Sequence, residues 1–203
     1  LGNININGGK ISIYSNDDGI HADGVLTISD GIIDITKSYE GLEGLQVIIN
    51  NGDISIVSSD DGINSTATSG QGIVIDGGNL YILAGGDGLD SNSRTAYSGI
   101  VFKGGKTVVI STSGGNSAID TEAGYTYTSG SVLAIMPNGG MTSEATHCSN
   151  FSSVAKKISM SLSSGKTLTV SVSNSAILSV KIPCNLSAIV IYLGSTSANI
   201  SLN

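Results

Sequence analysis

Apolar and polar residues alternate with a period of two over short stretches, and the stretches recur. Ile4-Asn-Ile-Asn-Gly-Gly-Lys-Ile-Ser-Ile13 returns as Val25–Ile35, Val47–Ile56, Ile73–Ile82 and Ile100–Val109. Alternation of β-branched residues is strand chemistry, because successive side chains of a strand point to opposite faces. The turn glycines between paired strands are Gly9, Gly31, Gly52, Gly78 and Gly105, in steps of 22, 21, 26 and 27 residues. A period in this range marks a solenoid, whose repeats bury their apolar faces only against their neighbours. Strands recurring once per coil and stacked in register make an all-β, single-stranded parallel β-helix. The repeats predict about six coils over residues 1–140, the sixth opened by Val132–Ile135.

The period breaks in residues 141–203. Lys157–Leu162, Lys166–Val172, Ala176–Ile182 and Ala188–Leu193 alternate as strands separated by Ser-, Asn- and Gly-containing turns. A solenoid end exposes its core and an open strand edge. The expectation is an antiparallel C-terminal cap packed on the end of the β-helix.

A second column keeps step with the coils. Asp17-Asp18-Gly19-Ile20-His21 is followed by Glu40-Gly41-Leu42-Glu43, Asp60-Asp61-Gly62-Ile63-Asn64 and Asp87-Gly88-Leu89-Asp90, with a weaker copy at Ser117-Ala118-Ile119-Asp120. Alternation turns the apolar residue inward and its flanking residues outward. Stacking sets equivalent residues ~4.8 Å apart. Carboxylates at that spacing repel unless a positive charge lies between them. Rows of carboxylate and amide oxygens suit Ca²⁺, which takes six to eight oxygen ligands. Zn²⁺ would favour clustered His and Cys, and the two histidines, His21 and His147, are far apart in the sequence. The candidate ligands are Asp18, Glu40, Glu43, Asp60, Asp61, Asn64, Asp87, Asp90 and Asp120, with on the order of two to three Ca²⁺ ions between coils. The competing reading is that Asp-Gly and Asn-Gly merely form the corners. Four such turns in phase, each with a second acid, amide or imidazole three residues on, favour the metal.

Charge divides the chain. All 16 acids lie between Asp17 and Glu144, so residues 1–144 carry −11 and residues 145–203 carry +4. An acidic solenoid lacks the basic stripe that nucleic acid needs. There is no apolar run long enough to span a membrane. The chain starts at Leu1 rather than Met and is read as a mature or trimmed form. Cys148 and Cys184 read either as a disulfide or as two buried thiols.

Coil length grows in one place, the stretch after the acidic turn: residues 64–72, 90–99 and 120–130. Insertions on one edge of a solenoid commonly build its binding face. Tyr97, Tyr125 and Tyr127 sit there as candidate stacking surfaces for sugar rings, with Arg94 beside them. Nucleophilic catalysis has no support, because no histidine is phased with a Ser or Cys. A glycosidase acid pair is needed once, not in every coil. A lyase would need a proton-abstracting base, for which Lys37, Lys103, Lys106 and Arg94 are the candidates.

The phased Gly-Gly-x-Ile-x-Ile strands, the Asp-Asp-Gly-Ile and Asp-Gly-Leu-Asp turns, and the ending with Gly165–Val170 and Leu186–Ile191 resemble a carbohydrate-binding β-helix family. That family is found on surfaces of cellulolytic anaerobic bacteria and is itself similar to pectate-lyase β-helices. The resemblance covers nearly the whole chain. It implies a right-handed helix, agreeing with the usual parallel crossover. It also implies bound calcium and association with cellulose and pectin-like polyuronate of the plant cell wall. Carried over by residue, it supports metal roles for Asp18, Glu40, Glu43, Asp61, Asn64, Asp87 and Asp90. Ser117-Ala118 departs from its Asp-Gly pattern, and Tyr39 and Gly86 replace the first acid seen at Asp17 and Asp60. The resulting expectation is a non-catalytic, monomeric polysaccharide-binding protein, extracellular or on the cell surface. A calcium-dependent polysaccharide lyase is the alternative.

Overall fold

The computed structural model describes residues 2–203, so Leu1, the reading of which as a trimmed start was given above, lies outside the described residues. The chain forms a parallel β-solenoid of about five turns. Each full coil runs along three faces. The broad face holds Lys10–Tyr14, Ile32–Lys37, Asp53–Ser58, Asn79–Ala84, Lys106–Ser111 and Ser131–Pro137, paired in parallel. The chain then turns the acidic corner into short strands that begin at Ile20, Leu42, Ile63, Leu89 and Ile119. The middle face follows, its strands ending at Ile6, Ile28, Ile49, Ile75, Phe102 and Tyr127. In two coils the acidic and middle faces are one bent strand, Ile20–Ile28 and Leu42–Ile49.

Register explains the core. Ile35, Ile56, Ile82, Val109 and Ala134 stack in one inward column, and Leu42, Ile63, Leu89 and Ile119 stack in another. All of these are fully buried. Burial of each Ile or Leu side chain is worth ~1.5–3 kcal/mol, and the column repeats that gain in every coil. Two kinds of glycine shape the corners. Gly52 and Gly78 have φ of 120° and 84°, open to glycine and strained for other residues. Gly62 is needed for space instead, because a Cβ there would lie 2.2 Å from Cγ2 of Ile82 and 2.4 Å from the carbonyl oxygen of Gly88.

The C-terminal segment does two jobs, and only one was expected. Ala155–Leu162 and Leu186–Leu193 extend the broad sheet antiparallel beyond Ser131–Pro137 and close that edge. The hairpin Thr167–Val172/Ser175–Lys181, joined by Asn199–Leu202, forms a separate three-stranded sheet. That sheet lies on the outer side of the broad face. Leu168, Val170, Leu178 and Val180 pack there with Val108, Ile110, Leu133 and Ile135, which point away from the solenoid core, in a second hydrophobic cluster. Both cysteines are free. Cys148 is buried at the end of the middle face beside Tyr125, whereas Cys184 lies in a crevice with Val57, Leu83 and Pro183 on the broad face. Their placement in separate packing environments settles the open choice in favour of thiols. No helix among the described residues is long and apolar enough to cross a membrane.

Candidate functional site

The acidic corner carries two rows. The strand row is in register by backbone pairing: His21, Glu43, Asn64, Asp90 and Asp120 stand on successive coils. An inward Ile or Leu before each of the five, and a small buried residue after it (Ala22, Gly44, Ser65, Ser91 and Thr121), turn these five outward. The corner row runs Asp18, Glu40, Asp61, Asp87 and Ser117. Its backbone stacks through bonds from the N–H groups of Gly19, Gly41, Gly62 and Gly88 to the carbonyls of Glu40, Asp61, Asp87 and Ser117.

Corner carboxylates also brace the solenoid. Asp18 accepts a hydrogen bond from the Glu40 N–H at 3.2 Å, Asp61 from the Asp87 N–H at 2.7 Å, and Asp87 from the Ser117 N–H. Each engages one oxygen in this way. These bonds run between successive coils, and Asp18 gives its other oxygen to His21. Glu40 is longer by one methylene and behaves differently. Both of its oxygens accept from Nδ2 of Asn64, at 3.1 and 3.2 Å. That contact turns Oδ1 of Asn64 the other way, where it is buried with no hydrogen-bond partner among the described residues. A buried amide oxygen without a donor is costly.

Charge points in the same direction. Burial, followed by repulsion from Asp61, Asp120, Asp87 and Glu40, pushes the carboxyl of Asp90 up to about 7. Burial also raises Asp87 to about 7, against a partial offset from the Ser117 N–H. Glu40 reaches about 7 through burial, partly countered by Asn64. Asp61 and Asp120 are raised for the same first reason. At the first coil an imidazole stands among the acids. His21 bonds Asp18 at 3.3 Å and also contacts Glu43, and the Asp18 bond heads the causes that raise its pKa. Asp18, His21 and Glu43 bring their ligand atoms within 4.8 Å of one another. Farther along the rows no Lys or Arg pairs with Asp61, Asp87, Asp90 or Asp120 among the described residues. Oxygen donors, one orphaned amide oxygen and uncompensated acids fit a hard divalent cation.

The other candidates scatter. Asp60 stands near the Tyr39 hydroxyl, whose pKa it raises, rather than in either row. Arg94 is exposed on its loop, and Tyr97 is 42% exposed with its ring edge-on to His147 at 5.4 Å. Tyr125 and Tyr127 are not stacking surfaces. Tyr125 is fully buried, donates its hydroxyl to the Ala145 carbonyl at 2.7 Å and packs against Phe102. Tyr127 is 6% exposed and bonds the Gly130 carbonyl. The signal was in the alternation: Tyr125-Thr126-Tyr127 repeats the phase of Ile100-Val101-Phe102, with Phe102 opposite Tyr127. Of the base candidates, Lys103 pairs with Asp76, Lys37 bonds Asn16, and Lys106 lies on the broad face. At its far end the strand row opens into a polar hollow of about 360 Å³ that also admits Glu122 and Glu144. Glu144 sits on the short helix Thr142–Thr146, outside the repeat, so no periodic argument reaches it.

A family model described as carbohydrate-binding domain-containing protein matches residues 1–71 and 46–197, which together span nearly the whole chain. No curated protein and no solved structure gives a match.

Proposed function

The chain belongs to this family of carbohydrate-binding domain-containing proteins, and from that membership we propose a non-catalytic, extracellular or cell-surface protein that holds acidic plant cell-wall polysaccharide through calcium. The observation that carries the calcium part is the buried, partnerless Oδ1 of Asn64 within a register of carboxylates lacking a basic partner. Asp61, Asp87, Asp90, Asn64 and Glu40 would hold the cation, with Glu43 and Asp120 at the ends of the strand row. Bound Ca²⁺ supplies positive charge and spare coordination positions for uronate oxygens. The chain's own residues do the rest. The Glu40–Asn64 contact orients the amide, and the Asp61–Asp87–Ser117 ladder fixes coil spacing. Tyr97 and the loop around Arg94 form the neighbouring wall.

Without a cation these rows repel a polyuronate, so binding should be calcium-dependent. The test is retention on immobilised polygalacturonate in Ca²⁺ and in EGTA, with absorbance of unsaturated products followed in the same tubes. Retention in Ca²⁺, release in EGTA and no absorbance change are expected. Retention that ignores chelation, in protein that stays folded, would remove the bridging role. Rising absorbance would move the protein to the lyase class, with Arg94 as the candidate base nearest the rows.

A further inference from the structure

One end of the strand row differs chemically from the rest. From Glu43 onward the row offers only carboxylate and amide oxygens, but its first member is the imidazole of His21. His21 and Glu43 are register partners on successive coils, and Asp18 lies on the corner three residues before His21. Two carboxylate oxygens converge on one ring nitrogen. Oδ2 of Asp18 stands 3.3 Å from Nδ1, and Oε2 of Glu43 touches the same nitrogen. Nδ1 carries at most one hydrogen, so it cannot make a full bond to both acids. One small cation at the meeting point would satisfy all three atoms, which lie within 4.8 Å of one another.

We propose that Asp18, His21 and Glu43 form a site for a divalent transition metal of the zinc type, separate in selectivity from the oxygen-only stretch that follows. The proposal depends neither on calcium nor on polysaccharide. Zinc–nitrogen and zinc–oxygen bonds of ~2.0–2.2 Å set neighbouring ligand atoms roughly 3.3–3.5 Å apart around a tetrahedron. Asp18 and His21 already stand at that separation. Both are held from behind. The second oxygen of Asp18 accepts from the Glu40 N–H at 3.2 Å. The far nitrogen of His21, Nε2, faces Oδ1 of Asp23 at 3.7 Å, the placement in which a carboxylate orients a metal-bound imidazole. A neutral imidazole and two carboxylates match the charge of a dication, and no Lys or Arg pairs with Asp18 or Glu43 among the described residues. The Asp18 and Glu43 side chains are each 17% exposed and that of His21 48%, so the acids are sheltered while the open side keeps room for water as a further ligand. A lone histidine argued against zinc in the sequence; the fold completes it with acids from two coils. Three protein ligands including a nitrogen suit zinc, copper(II) or nickel better than Ca²⁺, which takes six to eight oxygens. The ion would tie the first coil to the second.

The test titrates the metal-stripped whole protein with Zn²⁺ in millimolar Ca²⁺, read by calorimetry, and with Ca²⁺ alone. The wild type should bind Zn²⁺ with Ca²⁺ present. His21→Gln and Asp18→Asn should each weaken Zn²⁺ binding by at least tenfold, in protein whose melting curve shows it folded, and His147→Gln should not. His21→Gln should leave Ca²⁺ affinity unchanged. In the unaltered protein, nitrogen resonances of isotope-labelled histidine should show Nδ1 of His21 shifted by Zn²⁺ and the His147 ring unmoved. Unchanged Zn²⁺ affinity in His21→Gln, an unshifted His21 ring, or displacement of Zn²⁺ by millimolar Ca²⁺ would overturn the site. Calcium binding with no Zn²⁺ binding would overturn it too and leave the proposed function standing. Zn²⁺ held at His21 by protein that takes no Ca²⁺ would support this site and count against the calcium reading.

Discussion

Asn64 occupies the position in its row where the flanking coils carry Glu43 and Asp90. An acid there would add a fourth charge among Glu40, Asp61 and Asp90. The amide instead spends its two donor contacts on Glu40 and leaves an oxygen for a cation. Asn64→Ala should therefore weaken Ca²⁺ affinity by roughly tenfold or more, as loss of a ligand or its orienting partner commonly does. Calorimetric titration reads this, and an unchanged affinity would remove Asn64 from the site. The tyrosines separate in the same residue-by-residue way. Tyr125→Phe strands the buried Ala145 carbonyl and should cost roughly 1–3 kcal/mol of stability without lowering polygalacturonate retention. Tyr97→Ala should do the reverse, sparing the melt and weakening retention. The acid rows could be read from the sequence because register follows from the repeat. The roles of Tyr125 and Tyr127 were legible too, in the alternation they share with Ile100 and Phe102, but the length of their loop suggested an exposed edge.

Among elements, the acidic turn is built for close stacking. Gly62→Ala pushes a methyl into Ile82 and the Gly88 carbonyl. It should cost roughly 1–3 kcal/mol, visible as a lower melting temperature; an unshifted melt would show that the corner can open. The C-terminal hairpin is the element whose packing the sequence concealed. Alternation in Thr167–Val172 and Ser175–Lys181 says that one side is buried but not against what. Its partners, Val108, Ile110, Leu133 and Ile135, sit on strands whose other side already fills the solenoid core. Unbroken apolar runs such as Val108-Val109-Ile110 and Val132–Met136 carry that information, since a strand buried on both faces loses its alternation. Leu168 is fully buried in this second cluster. Leu168→Ala should destabilise by roughly 2–5 kcal/mol, which thermal or denaturant melting would register.

Across the whole molecule, charge and fold are coupled through the acidic corner. Glu40, Asp87 and Asp90 are each raised to about 7 in the folded chain, chiefly by burial. Unfolded carboxyls titrate near ~4. Between those limits the folded state holds protons that the unfolded state has released, so stability falls as pH rises from ~4 to about 7 and then levels. His21, raised chiefly by its bond to Asp18, is stabilised in its protonated form by folding and so acts in the same direction. A cation bound to the ionised acids reverses the trend, because it stabilises the form that neutral pH favours. The most direct test is a pair of melting curves of metal-stripped protein at pH 5 and pH 7.5, each repeated in millimolar CaCl₂. Without metal the pH 7.5 melt should lie below the pH 5 melt. Calcium should raise the pH 7.5 melt by several degrees and the pH 5 melt much less. Superimposable curves with calcium and with EGTA at pH 7.5 would contradict a calcium-holding acidic corner.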